Sequence, residues 1–193
     1  MGAVAIWCMH FVGNYAIVLG NGDAMLQIAY SGLFTFISAV LSIVVLFFAF
    51  LAIGAEGLNI ERLLLGGTLA GLGVCGMHYL GQAGITNYTP IYRISYFVGA
   101  AIIAVVDCIL ALALFFKFRA AWITSWWSRI ICAFILAIGV SGMHWVASIG
   151  TDYRLNIGPP PKSTNLHRKY TIITIIALVR YIRASPSALN NTN

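Results

Sequence analysis

Five long apolar runs separated by short polar stretches dominate the chain, at residues 3 to 19, 30 to 53, 63 to 85, 94 to 116 and 130 to 149, and a weaker run follows from 170 to 182. A helix needs roughly 20 consecutive apolar residues to cross a bilayer core of about 30 Å. The second to fifth runs meet that length, and the first and last are short. The pattern predicts an all-α fold, a polytopic transmembrane helix bundle. Met1 stands directly before an apolar helix, and Gly20-Asn21-Gly22-Asp23 does not resemble a signal-peptide cleavage site. The expectation is that the chain lacks an N-terminal span and that the membrane domain covers residues 1 to 183. Pro159-Pro160-Pro161 marks a loop or stiff linker, and the polar residues 184 to 193 predict a disordered tail.

The polar positions inside the runs repeat. Met9-His10, Met77-His78 and Met143-His144 place histidines 68 and then 66 residues apart, whereas this composition gives about 0.1 Met-His pairs by chance. Their surroundings repeat too: Trp7-Cys8-Met9-His10-Phe11-Val12-Gly13-Asn14, Cys75-Gly76-Met77-His78-Tyr79-Leu80-Gly81-Gln82 and Ser141-Gly142-Met143-His144-Trp145-Val146-Ala147-Ser148. The same shift carries Phe47-Phe48 onto Phe115-Phe116, so the repeated unit is a pair of helices.

Composition supports the membrane reading. Hydrophobic residues make up 61% of the chain and charged residues 8%, about a third of what a water-soluble globule carries. Mean hydropathy is +0.91. These values exclude a cytosolic enzyme, a disordered tail and a disulfide scaffold. The net charge of +6 sits between the apolar runs and reads as topology-setting residues, with no nucleic-acid partner. Arg62, Lys117, Arg119 and Arg129 follow spans two and four, while only Arg93 follows spans one and three, which puts the former loops in the cytoplasm. The loop from Gly150 to Lys169, with Arg154, Lys162, Arg168 and Lys169, runs against this orientation. The expected location is an integral, multi-pass protein of the plasma membrane. Cys8, Cys75, Cys108 and Cys132 fall within apolar runs without CxxC spacing, as buried thiols do.

A histidine within the bilayer must find a polar partner or a wet cavity. Three at matched depth point to one shared site. Imidazole binds several transition metals and thioether sulfur is soft, so Met9, His10, Met77, His78, Met143 and His144 together point to copper more than to zinc. Neighbouring residues on a helix point about 100° apart, so histidines from different helices are expected to converge with the methionines above or beside them. Asn14, Gln82 and Ser148 lie four residues after the histidines, on the same helix face, and are expected to hydrogen-bond near the imidazoles. Gly13, Gly81 and Ala147 allow close helix approach. The competing reading is plain interhelical glue, with methionine as apolar filler. Asp107, near the middle of span four, is either a proton or cation site or a protonated donor between helices. No phosphate loop, nucleophile elbow, paired acids or HExxH pattern is present, so no enzyme activity is expected.

Trp7-Cys8-Met9-His10-Phe11-Val12-Gly13, Gly76-Met77-His78-Tyr79-Leu80-Gly81 and Gly142-Met143-His144-Trp145 resemble the MHYT domain, an integral-membrane sensor module named for a repeated Met-His-Tyr-Thr signature. Val12, Leu80 and Val146 stand where the threonine would be. The resemblance runs from Gly2 to about Thr151 and is similar to stand-alone or short-tailed fungal signalling proteins. It implies six or seven spans, copper held by the six Met-His residues, and sensing of oxygen, carbon monoxide, nitric oxide or redox state. A downstream signalling partner is implied, since cyclic-nucleotide and phosphorelay output domains are absent from this sequence. The alternatives are a metal-handling or transport protein with Asp107 on its path, a b-type haem gas sensor, and a helix bundle without ligand.

Overall fold

The computed structural model describes residues 2–19, 26–54, 59–117 and 126–156, together with residues 173, 176, 177 and 180. Among the continuously described residues five helices follow one another: α1 (Gly2–Tyr15), α2 (Gly32–Ile53), α3 (Ile60–Ala83), α4 (Ile94–Lys117) and α5 (Trp126–Ile149). Two short strands, β1 (Tyr88–Tyr92) and β2 (Thr151–Leu155), lie after α3 and α5. Helices α2 to α5 are each long and apolar enough to cross a membrane. The weak run at 170 to 182 and the expected tail fall largely or wholly outside the described residues.

Helix α1 ends at Tyr15, short of the apolar run that continues to Leu19. Its 14 residues extend about 21 Å at 1.5 Å per residue, less than a bilayer core. The last turn tightens, with Ala16 N donating to both Val12 O and Gly13 O. Beyond it the Gln27 side chain holds extended backbone, its Nε2 donating to Leu19 O at 2.9 Å. The apolar run that hydropathy alone would make helical to Leu19 is thus helical only to Tyr15.

Helix α3 starts at Asn59, whose side chain accepts from Glu61 N and Arg62 N, an N-cap with an acid in the first turn. It is the central helix: 56% of its most apolar stretch is buried, against 22% for α2 and α4. Its glycines set this position. An added Cβ at Gly67 would stand 2.5 Å from Ile109 Cγ1, and one at Gly71 would stand 2.5 Å from Val105 Cα, so α4 packs directly on α3 backbone. Ile53 of α2 sits as closely on Gly66. At the far end of α2, Gly54 takes φ 73°, a left-handed cap whose N–H donates to Phe50 O.

The helices pack in chain order, α2 on α3, α3 on α4 and α4 on α5, while the three motif-bearing helices α1, α3 and α5 also touch one another in pairs. Trp7 ties α1 to α2, its Nε1 donating to Ser38 Oγ at 3.1 Å and Thr35 O at 3.2 Å. The core lies between the motif helices and includes Trp7, Phe11, Val74, Cys75, Met77, Ala104 and Met143. Outward faces remain apolar, with Phe36, Phe50, Ile102, Val106, Phe134 and Trp145 all exposed. Such surfaces belong in lipid. The protein is an integral, multi-pass membrane protein.

One end of the bundle is closed by a cap that helical periodicity does not announce. Strands β1 and β2 pair antiparallel, with Pro90 opposite Tyr153 and Tyr92 opposite Thr151. Asn87, buried beneath them, donates to Gln27 O at 2.7 Å and accepts from Ala29 N at 3.0 Å. An exposed ion pair, Arg93 Nε to Asp152 Oδ2 at 3.1 Å, clips the two loops together.

Candidate metal centre

The three motif histidines meet directly beneath the cap. His10, His78 and His144 each offer a ring nitrogen, and these atoms all lie within 4.8 Å of one another. His10 and His78 are 1% and 0% exposed and His144 is 7% exposed. Their rings pack edge to face, with centroids 4.7, 5.4 and 5.2 Å apart. His10 Nδ1 and His78 Nδ1 share a hydrogen bond of 3.0 Å. His78 Nε2 and His144 Nδ1 are buried without a partner among the described residues.

Room for these rings comes from the small residue three positions after each histidine. A Cβ at Gly81 would strike His10 Nε2, and one at Gly13 would stand 2.6 Å from His144 Nε2. Each glycine therefore makes space for an imidazole of a neighbouring motif. Ala147, at the equivalent place in α5, is 1% exposed.

The residues four positions on form a network in two of the three motifs. Asn14 Nδ2 donates to His10 Nε2 at 3.0 Å, and Gln82 Nε2 donates to Asn14 Oδ1 at 3.2 Å. Both amides are fully buried. Ser148 stands apart, its Oγ buried with no partner among the described residues. The network continues to the cap, where Tyr153 Oη donates to Gln82 Oε1 at 3.2 Å. Tyr153 has no sequence signal, because it lies outside every helix and motif and reaches the site only through strand pairing. Burial pushes its phenol above the ordinary tyrosine value, and that of Tyr92 up to about 12, so both keep their protons at neutral pH.

The methionines lie one residue away, in the apolar core. Met77 and Met143 are each 1% exposed, and Met9 packs partly buried against the same cluster. The structure thus gathers the histidines into one cluster, while the methionines join the hydrophobic core. Cys75 belongs to that core and not to the histidine cluster. Asp107 is also outside it. Its carboxylate sits at the α4–α5 contact against Gly139, with Oδ2 unpartnered among the described residues. The aromatic neighbours diverge: Phe11 is core, Tyr79 packs on Tyr92 and Phe97, and Trp145 faces outward.

Comparison with known proteins places this arrangement. The sequence model of the MHYT family, described as a bacterial signalling protein N-terminal repeat, matches residues 4–66 and 71–126. The chain belongs to the MHYT family. The two matched repeats contain His10 and His78, and His144 lies beyond the second. The signalling protein YkoW of Bacillus subtilis strain 168 is 28% identical over 159 residues, which are 80% of this chain and 19% of YkoW. MucR of Pseudomonas aeruginosa, a bifunctional diguanylate cyclase and cyclic di-GMP phosphodiesterase, is 29% identical over 151 residues, 78% of this chain and 21% of MucR. The MHYT chain spans about one fifth of the length of these relatives. No solved structure matches it. The family and the apolar helices together make this a membrane signalling domain.

Proposed function

We propose that this MHYT domain is a membrane sensor that holds a copper ion through His10, His78 and His144, with Met9, Met77 and Met143 beside it. One observation carries the reading: three repeats bring three imidazoles together from separate helices in a buried site. Three nitrogens bound to one ion at about 2 Å lie about 3.5 Å apart in a trigonal arrangement. The spacing here, from a 3.0 Å contact to the 4.8 Å limit, brackets that value. The nitrogens of His78 and His144 that have no partner among the described residues supply lone pairs when they carry no proton, and no Cys, Asp or Glu of the described residues joins the cluster. The methionine that precedes each histidine favours copper, which would supply one-electron redox chemistry and affinity for oxygen, carbon monoxide or nitric oxide.

The protein's own part is to hold the imidazoles close, exclude water, and orient His10 through Asn14 and Gln82. Haem is disfavoured, because rings packed edge to face at 4.7 to 5.4 Å leave no space for a macrocycle between them. Closure into one site, with Asp107 elsewhere, speaks against a transport path. Arg62, Lys117, Arg119 and Arg129 in the loops after α2 and α4 favour a cytoplasmic face opposite the cap, while Arg154, Lys162, Arg168 and Lys169 after α5 run against it. The readout lies beyond this domain, in a downstream partner; in MucR the same kind of module accompanies cyclic di-GMP enzymes.

Metal content by mass spectrometry on detergent-purified protein, with an absorbance scan, tests the assignment. About one copper per chain is expected, with no haem band, and loss of copper in the variant His10→Ala, His78→Ala, His144→Ala of unchanged helical circular dichroism. Equal, negligible copper in both proteins would overturn it.

A further inference from the structure

Helix α4 carries one acidic residue, Asp107, near its middle. It is 7% exposed, and Oδ2 is buried with no partner among the described residues. An added Cβ at Gly139 of α5 would collide with Cγ and with both carboxyl oxygens, so the whole carboxyl lies in a notch that the missing side chain leaves in α5. Pairing of the helices does not itself call for an acid. Ala39 stands 68 residues before Asp107, at the equivalent place in α2, and α2 packs on α3 at least as extensively as α4 packs on α5. Helices α3 and α5 both pack on α4. Gly67 and Gly71 of α3 meet Ile109 and Val105, to either side of Asp107 along α4, and residues 63 to 74 of α3 hold no titratable or charged side chain. Residues 133 to 143 of α5 hold none either. On α4 the neighbouring Cys108 thiol interacts electrostatically with Asp107. Beyond it, Arg62, Cys75 and His78 on α3, Lys117 on α4, and Arg129, Cys132 and His144 on α5 stand five or more residues along the helices, about 7 Å or more.

We propose that Asp107 is a proton-binding site within the bilayer: its carboxyl sits in the Gly139 notch as the neutral acid, and loss of the proton to water loosens α4 from α5. An ionised carboxylate in this place would face helix backbone and apolar side chains, with no cation paired to it among the described residues. The neutral acid fills the same space without the charge. To ionise, the group must gain water or a counter-ion, and the α5 backbone at Gly139 closes the side on which the carboxyl lies. Hydration of the carboxylate therefore parts the two helices. Helix α5 brings His144 to the histidine cluster, five residues beyond Gly139, so a shift of α5 against α4 reaches that cluster whether or not it holds a metal. The inference goes beyond the metal reading and does not rest on it, since neither Asp107 nor Gly139 belongs to the cluster.

The test is infrared spectroscopy of the full-length, metal-free protein in lipid vesicles, where a protonated carboxyl gives a carbonyl band apart from those of amides and carboxylates. The chain has only five acidic residues, which makes the band assignable. Wild type at neutral pH should show a protonated carboxyl. Asp107→Asn, which keeps the shape of the neutral acid, should remove that band and leave the helical amide band unchanged. Asp152→Asn, at an exposed and ion-paired position, should leave it in place. Should Asp107→Asn fail to fold, 13C labelling of the aspartate carboxyls assigns the band in the Asp152→Asn protein by its isotope shift. Thermal unfolding in detergent tests the second half. The folded chain holds this proton more tightly than the unfolded chain, so the unfolding temperature of wild type should fall as pH rises through loss of the band, while that of Asp107→Asn stays level over the same range. A protein without the band at neutral pH, or one whose band survives in Asp107→Asn, would overturn the proton site. Loss of the band with parallel unfolding temperatures in the two proteins would overturn the loosening of α4 from α5.

Discussion

An added Cβ at Gly81 would run into His10 Nε2, and one at Gly13 would come within 2.6 Å of His144 Nε2, whereas Gly142 faces open space. All three lie within helices, Gly13 and Gly81 in the last turn and Gly142 in the interior, where alanine is better than glycine by roughly 0.5–1 kcal/mol when nothing opposes it. Gly142→Ala should therefore raise stability by about that amount and leave copper binding intact. Gly13→Ala and Gly81→Ala should instead cost about 1–3 kcal/mol through overpacking, and should reduce copper per chain if the displaced ring is the ligand proposed above. Thermal unfolding and metal content on the same preparations check both effects. Equal behaviour of the three variants would mean that the rings are not held where the glycines meet them.

Among the elements, α3 depends most on what it lacks. At Gly71 the nearest atoms to an added Cβ are backbone, Val105 Cα at 2.5 Å and Val105 N at 2.7 Å. At Gly73 only the side chain of Val45 stands in the way. Side chains can rotate, but a helix backbone must move as a body. Gly71→Ala should lower unfolding stability by about 1–3 kcal/mol, and Gly73→Ala by clearly less, in denaturant titrations of detergent-solubilised protein. Helix α1 shows the same dependence on neighbours. Its apolar run continues to Leu19, yet it stops at Tyr15, and the backbone of Leu19 beyond it bonds the Gln27 side chain.

Across the whole molecule, the cap joins loops that follow α1, α3 and α5, and two of its contacts differ sharply in environment. Arg93 and Asp152 form an ion pair with side chains 56% and 55% exposed, where water screens the attraction. Asn87 is buried and satisfies backbone groups of residues 27 and 29. Arg93→Ala should change stability by less than about 1 kcal/mol. Asn87→Ala leaves a buried amide and carbonyl unpaired and should cost about 1–3 kcal/mol, with faster hydrogen exchange at Ala29. A larger loss for Arg93→Ala than for Asn87→Ala would reverse this ranking of the cap's contacts.

The sequence by itself determined the solvent, the helical class and the repeat. Long apolar runs have one stable form in a bilayer, because backbone groups there must be satisfied within the helix. It also marked His10, His78 and His144, since recurrence at 68 and 66 residues stands out against composition. Asn14 and Gln82 were legible as polar neighbours on the histidine face; Ser148 reads the same way in sequence yet makes no contact like theirs. Only the tertiary structure decided that the three histidines meet, that the methionines sit in the core beside them, and that Gly13 and Gly81 make room for rings from other helices. It alone brought Tyr153 to Gln82, because pairing between strands 59 or more residues apart leaves no periodic trace in either loop. Periodicity records which face a helix buries; which partner covers that face is fixed by the packing of the whole bundle.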